Sequence, residues 1–315
     1  MRYNKGSGFL LLSHDGGQTF EDVTPDFLSH EKYEILPSLA QHPTDPNTLL
    51  VSSIYWGIFC STDFGQKWEN LTEWLYGNPV ASFIGFHPAR PSIIYNSGEG
   101  GYFNGHIAIS YDDGNTWIHR DTWGSGDEWL GFGGDNCVHR PTFHPTNPDR
   151  WLAGGEGCVF LSDDNGQTWN CQNYWGDVSR DAYWFFSAFD NEHPDTVYLA
   201  GCTNAPMEKA YIMLMCSTDG GRSWYPSQLM AAKKDNENVC DMQQYKDRLF
   251  IYTESDVYEV SKEKLVTRST SVNPYVLDMP SEDAPTYDLH GRPVATSQQG
   301  ISIKNGKKIV RKSGI

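Results

Sequence analysis

One eight-residue pattern recurs five times in this chain. It reads SHDGGQTF, STDFGQKW, SYDDGNTW, SDDNGQTW and STDGGRSW, and its copies begin at Ser13, Ser61, Ser110, Ser162 and Ser217. The intervals between these starting points are 48, 49, 52 and 55 residues. Such a period is typical of propellers and other repeat folds, because each unit buries its apolar face only by packing against its neighbours. The pattern therefore constrains the fold more than any other feature.

The units share more than this pattern. In four of them an apolar stretch ends in His-Pro, as in LAQHPTDP, FIGFHPARP, PTFHPTNP and the looser SAFDNEHP, and two β-rich runs follow before the pattern begins. The last residue of the pattern, Trp or Phe, opens a fourth run. Four short strands joined by turns are the composition of one propeller blade. Because the histidines recur once per unit, we interpret them as turn residues and not as metal ligands: His42, His87, His144 and His193.

The residue types of the pattern suit a tight turn between the third and fourth strands. An Asp side chain can accept backbone N–H bonds across such a turn, and Gly permits a positive φ without a Cβ clash. A Trp that packs between blades would bury on the order of 200 Å². We therefore predict a structural role for the five aspartates of the pattern: Asp15, Asp63, Asp112, Asp164 and Asp219.

These five segments resemble Asp-box (BNR) repeats. Such repeats occur in the propellers of sialidases, family 74 xyloglucan-active glycoside hydrolases, sortilin-type receptors and photosystem II assembly factors, and the resemblance covers about residues 9 to 226. It implies that the repeats lie on the outer turns of the blades, away from the face that binds ligands. Sialidases carry an arginine motif before the first box, whereas only Arg2 precedes Ser13 here. Sialidase chemistry is therefore disfavoured.

We predict an all-β fold, a seven-bladed β-propeller with four-stranded blades, with six blades as the alternative. Residues 1–315 would form a single propeller domain, in which the first blade is incomplete at residues 1–23 and the Asp-box blades extend to about residue 227. Two blades without the box would occupy residues 238–315. Their predicted strands are VCDMQQY, RLFIYTE, DVYEVSK and KLVTRST in one blade, and TYDLHG, PVATSQ, GISIKN and KKIVRKS in the other.

Composition narrows the choice of partners and compartments. The formal net charge of −16 argues against a nucleic-acid partner, which requires clustered Lys and Arg. No apolar run approaches the roughly 20 residues of a membrane helix, so we predict a soluble protein without a membrane partner. Seven cysteines without metal-ligand spacing favour free thiols and a cytoplasmic location, with secretion or a periplasmic location as the alternative if an upstream signal is removed. No cofactor and no metal are predicted.

The loops opposite the repeats carry the candidate functional residues. Aromatic planes suit the C–H faces of sugar rings, whose hydroxyls need polar partners. The ligand-binding candidates are Tyr55, Trp56, Glu99, Tyr102, Trp123, Trp129, His139, Arg140, Trp175 and Arg180. A glycosidase also needs two carboxyl groups, about 5–5.5 Å apart to retain or about 6.5–9.5 Å apart to invert the anomeric configuration. The catalytic candidates are Asp127, Glu128, Asp135, Glu156 and Asp181.

Two functions fit these loops. In the first, the chain is a glycan-directed propeller, glycoside hydrolase-like, that uses two loop carboxylates on an oligosaccharide or polysaccharide. In the second, it is a non-catalytic binding or assembly propeller that recognises a glycan or a protein partner. The fold hosts both, and therefore does not decide between them. The aromatic residues of the loops favour glycan contact, whereas the absence of a family-specific catalytic motif favours binding without catalysis.

Overall fold

The computed structural model is nearly all-β and consists of two compact units, Met1–Thr270 and Ser271–Ile315. The residues that the structure describes are 2–4, 9–24, 38–53, 57–72, 81–99, 105–121, 128–129, 137–155, 158–172, 182–203, 211–231, 238–271, 286–287, 293–294, 300–304 and 307–311.

The first three sheets of the larger unit follow the repeat period. Sheet one contains β1 (Arg2–Asn4), β2 (Phe9–Leu12) and β3 (Glu21–Asp22). Sheet two contains β4 (Ser38–Gln41), β5 (Leu49–Ser53), β6 (Gly57–Ser61) and β7 (Glu69–Asn70). Sheet three contains β8 (Ala81–His87), β9 (Arg90–Glu99), β10 (Gly105–Ser110), β11 (Ile118–Asp121) and β12 (Glu128–Trp129), with β12 parallel to β11.

The next three sheets continue the same order, in which consecutive strands pair antiparallel. Sheet four contains β13 (Thr142–Phe143), β14 (Trp151–Gly154), β15 (Val159–Ser162) and β16 (Asn170–Gln172). Sheet five contains β17 (Ala182–Phe189), β18 (Val197–Thr203), β19 (Tyr211–Ser217) and β20 (Tyr225–Ala231). Sheet six contains β21 (Val239–Tyr245), β22 (Arg248–Thr253) and β23 (Val257–Ser261), followed by α1 (Lys262–Ser271).

The smaller unit contains one sheet of four short strands. They are β24 (Thr286–Tyr287), β25 (Pro293–Val294), β26 (Gly300–Lys304) and β27 (Lys307–Arg311). Strands occur in all four predicted segments, but the order across the sheet is β25-β24-β26-β27 and not the consecutive order of a regular blade.

The core lies between successive sheets of the larger unit. Five apolar clusters join sheets one and two, two and three, three and four, four and five, and five and six. The first strands also lie side by side, β4 against β8 and β17 against β21. Sheets that pack face to face in chain order are consistent with a β-propeller. Seven sheets are present in the part of the chain that the structure describes, and the number of blades stays a prediction.

The fourth strand predicted in the blade that begins at residue 238 is wrong. KLVTRST lies in the helix α1, which begins at Lys262. Leu265 and Val266 are adjacent apolar residues followed by polar ones, which is not the alternation of a half-buried strand. One helical turn instead buries Leu265 in the cluster between sheets five and six, with Val266 packed beside it.

The five repeat turns share one hydrogen-bond scheme. In each turn the Ser hydroxyl donates to the Asp carboxylate and accepts the Gly N–H, over 2.7–2.9 Å. The Asp also accepts the backbone N–H four residues ahead. In the turn of Asp112, the hydroxyl of Thr116 donates to the carboxylate as well and is the largest cause that lowers the pKa of this group. The carboxylates are thus engaged within their own turns.

The repeat Gly and Trp join neighbouring sheets. The predicted positive φ is confirmed at Gly65, Gly114, Gly166 and Gly221, with Gly166 at 79°. A Cβ on Gly166 would lie 2.6 Å from Cδ1 of Ile109 in the preceding sheet. The Trp at the end of the turn packs into the cluster between its own sheet and the preceding one, as Trp224 does with Leu152 and Leu161. The predicted packing of Trp between sheets is confirmed.

The histidines before proline also form turns, with one correction. The Nδ1 atoms of His42, His87 and His144 each accept a backbone N–H three residues ahead, over 3.0 Å. In sheet five this role belongs to Asp190, whose carboxylate accepts the N–H groups of Glu192 and His193. His193 itself is exposed. The alignment by His-Pro was therefore wrong in this unit, because a carboxylate replaces the imidazole as the acceptor.

Candidate functional site

The strands of each sheet have two ends with different chemistry. The turn end carries the repeat turns and the His-Pro loops. The loop end carries the connections from second to third strand and from one sheet to the next. In sheet three, β9 ends at Glu99, β10 begins at Gly105 and β11 ends at Asp121, so that all three termini lie at the loop end. The candidate site is built on these termini.

A buried polar cluster lies beneath the loop end of sheet three. The imidazole Nε2 of His106 lies 3.1 Å from Oδ1 of Asn96, whose Nδ2 donates to the carbonyl of Phe83 over 3.4 Å. The ring of His119 lies 5.7 Å from that of His106. Asn96, His106, His119 and Arg120 are all at least nine-tenths buried. Polar groups buried in this way are normally held by hydrogen bonds, so the cluster forms a hydrogen-bonded base beneath these strand ends.

The segment 137–141 joins this base to sheet four. The N–H of Val138 donates to the carbonyl of Gly98 over 3.1 Å, and the N–H of His139 donates to the carbonyl of Gly154 over 2.9 Å. The hydroxyl of Ser97 donates to the carbonyl of His139 over 3.2 Å. Bonds to β9 on one side and β14 on the other fix the backbone of this segment between two sheets.

Two predicted residues of this segment face the same aromatic ring. The ring centroids of Phe83 and His139 are 5.7 Å apart, and Cζ of Arg140 also lies 5.7 Å from the centroid of Phe83. Burial lowers the pKa of His139 to about 4, so its imidazole is neutral near pH 7. The guanidinium of Arg140 is exposed. A cation over an aromatic face gains about 0.5–1 kcal/mol when exposed, and is thereby oriented.

The structure brings five predicted ligand or catalytic residues to this end of sheet three. Glu99 pairs with Gly105, and Glu128 and Trp129 in β12 lie beside Arg120 and Asp121. His139 and Arg140 complete the set. The other predicted residues lie outside the described part of the chain and stay predictions: Tyr55, Trp56, Tyr102, Trp123, Asp127, Asp135, Glu156, Trp175, Arg180 and Asp181.

Sequence reasoning missed Phe83, Asn96 and Arg120. Phe83 lies in an apolar run, ASFIGFH, and reads as an ordinary core residue. A signal was present for Asn96, because it interrupts the apolar strand SIIYNSG. A buried polar residue inside an apolar strand is more informative than an exposed one.

The turn end is held by ion pairs between neighbouring sheets. Nε of Arg150 lies 2.6 Å from Oδ1 of Asp163, and its NH1 lies 3.7 Å from Oδ1 of Asp195 in the next sheet. NH2 of Arg222 reaches Oδ2 of Asp163 over 2.9 Å. A shallow depression between the loops of His87 and His144 is also part of this seam, since Nε2 of His87 is 2.9 Å from the carbonyl of Pro148. The side chains lining it are used for packing.

Other features of the described residues add no chemistry to the site. All seven cysteines have free thiols. Among the described side chains, no group of three or more His, Cys, Asp or Glu lies close enough to hold a metal ion. No helix in the described ranges is long and apolar enough to cross a membrane.

Comparisons with known proteins establish a likeness of fold. No protein-family model matches the chain, and no curated protein matches it either. Among solved structures, the GH74 xyloglucanase from Xanthomonas campestris matches with a TM-score of 0.54 and 18% identity over 73% of this chain. The GH74 enzyme from Niastella koreensis matches with a TM-score of 0.50 and 18% identity over 73% of this chain.

The matched region covers 36% of each of these two enzymes, so this chain spans about a third of their length. A structure described as YCF48 bound to D1 peptide also matches, with a TM-score of 0.39 and 19% identity over 81% of this chain and 85% of that one. A TM-score of that size supports no argument. The first two likenesses show a fold shared with part of a GH74 propeller enzyme, and sequence identities this low show nothing finer.

Proposed function

We propose that this chain is a glycan-directed Asp-box propeller that binds an oligosaccharide or polysaccharide at the loop end of sheets three and four. The observation that carries the proposal is the convergence of predicted residues on one prepared base. Five residues that the sequence predicts for sugar binding or catalysis lie on strand ends or on the segment 137–141, next to buried hydrogen-bonded side chains. They are Glu99, Glu128, Trp129, His139 and Arg140. Function in propellers is carried by loops on a rigid scaffold.

The chemistry of the site suits a sugar. The exposed Arg140 offers hydrogen-bond donors, the buried His139 beside it is neutral and adds no positive charge, and Trp129 is an aromatic residue at the same end. The fold likeness to GH74 enzymes is compatible with this choice. Hydrolysis would further require two of the carboxylates Asp127, Glu128, Asp135, Glu156 and Asp181 to flank the bound glycosidic bond at one of the two separations that glycosidases use.

A glycan array and a hydrolysis screen of the purified chain test the proposal. The wild type should bind at least one oligosaccharide class, and Trp129→Ala should weaken that binding roughly tenfold or more, since the loss of one stacked aromatic ring is worth at least about 1.4 kcal/mol. Glu69→Gln, an exposed carboxylate substitution at the turn end, is the control and should leave binding unchanged. Failure to bind any glycan would contradict the proposal and direct the search to protein partners.

The same screen separates catalysis from binding. Product release that is lost in folded Glu128→Gln, Asp135→Asn or Glu156→Gln, but kept in Glu69→Gln, would establish a hydrolase and identify its acid or base. Binding without product release would place the chain among the non-catalytic propellers.

A further inference from the structure

Arg140 differs from the other arginines whose ion pairs the structure resolves. Arg90, Arg150, Arg222 and Arg248 each lie within 4.0 Å of at least one carboxylate. For Arg140, no carboxylate lies at ion-pair distance among the described side chains. Its guanidinium instead makes a cation–π contact with the ring of Phe83. The chain has 40 Asp and Glu against 24 Lys and Arg. In such an acidic protein, an exposed guanidinium that meets no carboxylate among the described side chains calls for an explanation.

The guanidinium of Arg140 is preorganised, since its position is set by the protein without a ligand. The segment 137–141 is bonded to Gly98 in sheet three and to Gly154 in sheet four, so the Cα of Arg140 is fixed from both sides. The ring of Phe83 then supports the side chain. Arginine normally loses considerable rotamer entropy when it binds, and a guanidinium already held on a ring loses less.

Among the described side chains, none compensates the positive charge of Arg140. Its neighbour His139 is buried and neutral near pH 7. A planar guanidinium with free N–H groups binds a carboxylate through two parallel charge-assisted hydrogen bonds. A neutral hydroxyl offers it only single, weaker bonds.

We propose that Arg140 is the subsite for a carboxylate-bearing sugar, and that the glycan bound at the loop end is acidic, containing uronic acid units. This assignment rests on the proposed function. The carboxylate is assigned to a sugar because Arg140 belongs to the proposed glycan-binding site. Phe83 orients the guanidinium, and the backbone bonds of segment 137–141 position it. The protein carries a net negative charge, and it therefore recognises an acidic ligand through the positively charged guanidinium of Arg140.

The test uses paired oligosaccharides. Oligomers of galacturonic, glucuronic and mannuronic acid are compared with their carboxyl-reduced neutral counterparts by calorimetric titration against the full chain. The wild type should bind at least one acidic oligomer about tenfold or more tightly than its reduced partner, and added salt should diminish that preference. Arg140→Gln should bring the ratio close to one, and Arg140→Lys should restore only part of the acidic preference.

A matched control removes the same charge elsewhere. Arg248→Gln, an exposed arginine at the turn between β21 and β22, changes the net charge equally and should keep the acidic preference. Circular dichroism and a thermal melt verify that each variant is folded. Since Arg140 is exposed, its substitution should leave the fold intact.

The outcomes distinguish the two proposals. Equal binding of acidic and neutral oligomers by the wild type, or a preference that survives in Arg140→Gln, would overturn the carboxylate subsite and leave the glycan function standing. No binding of any oligosaccharide would overturn both. Arg140-dependent binding of a Glu-rich peptide, with no acidic glycan bound, would show that the ligand is a protein.

Discussion

Substitution of the repeat glycine Gly166 by alanine tests why the repeat pattern requires glycine. Two costs are expected at this position. Alanine at φ 79° lies in the left-handed region, which costs about 1–2 kcal/mol. Its Cβ would also lie 2.6 Å from Cδ1 of Ile109 and 3.2 Å from Cζ3 of Trp151, and overpacking of this kind costs about 1–3 kcal/mol. After a gain of about 0.4–1 kcal/mol from the stiffer unfolded chain, Gly166→Ala should lower the free energy of unfolding by about 2–4 kcal/mol.

Gly17 provides a control at the same position of the first repeat. Its φ is 92°, but the nearest atom to an added methyl group would be Cζ of Phe20 at 3.8 Å, which is an ordinary contact. Gly17→Ala should therefore show only the backbone cost, about 1 kcal/mol. The difference between the two variants measures the close approach of sheets three and four.

Urea unfolding followed by tryptophan fluorescence gives both values, and a double-mutant cycle identifies the contact. Ile109→Val removes the Cδ1 atom that the new methyl group would meet, so it should restore at least about 0.5–1 kcal/mol to Gly166→Ala. If both alanine variants lose the same free energy of unfolding, or if Ile109→Val gives no coupling, the glycine is required by the backbone alone and the packing argument fails.

Three further predictions concern single side chains. Asp164→Ala should lower the free energy of unfolding by about 1–3 kcal/mol in urea, since the hydrogen-bond donors of the turn lose their acceptor, and should leave glycan binding of the folded protein unchanged. Lys262→Met should cost about 3–5 kcal/mol, because it leaves the carboxylate of Asp190 buried without the ammonium that lies 3.0 Å away; Lys262→Arg should cost less. Because burial lowers the pKa of His139 from 6.5 to about 4, the unfolded chain takes up the proton first as the pH falls, and stability should be lost between about pH 6.5 and 4. His139→Gln should flatten that part of the stability curve relative to wild type, and an unchanged slope would contradict the buried neutral imidazole.

The repeats could be predicted from sequence because their information is local. Ser162, Asp164 and Gly166 make their hydrogen bonds within one turn, so residue type and spacing specify the geometry. The strand Val159–Ser162 before this turn was predicted for the same reason, since a short apolar run bounded by turn signals indicates a buried strand. The five aspartates and the positive φ of the glycines needed no knowledge of the rest of the fold.

The errors occurred where distant residues decide the structure. Lys262 begins a helix that buries Leu265 against sheets five and six, and nothing within KEKLVTRSTS specifies that contact. Asp190 replaces a turn histidine because the buried carboxylate is bonded to Tyr198 and Lys262; burial raises its pKa, but the bond from Lys262 and the backbone N–H bonds outweigh this and keep it below the ordinary value. A sequence alignment by His-Pro could not show this.

The candidate site was predictable in part for a related reason. His139 and Arg140 stood out because polar residues in a long connection have no role in a blade core. Their partners Phe83 and Ser97 lie in β8 and β9, more than 40 residues earlier, and became visible only once the strands were paired. Contacts at the loop end therefore depend on tertiary structure and cannot be predicted from local sequence.

The two ends of the sheets use charge in opposite ways, and this difference is the strongest reason to separate structure from function in this chain. At the turn end, Arg150 and Arg222 meet the carboxylates of neighbouring sheets, so their charges hold those sheets together. At the loop end, Arg140 lies over an aromatic ring and meets no carboxylate among the described side chains, an arrangement that adds little to stability. A side chain that is fixed in place without contributing to the core is available for binding. The same argument applied to a turn-end arginine would predict only a loss of stability.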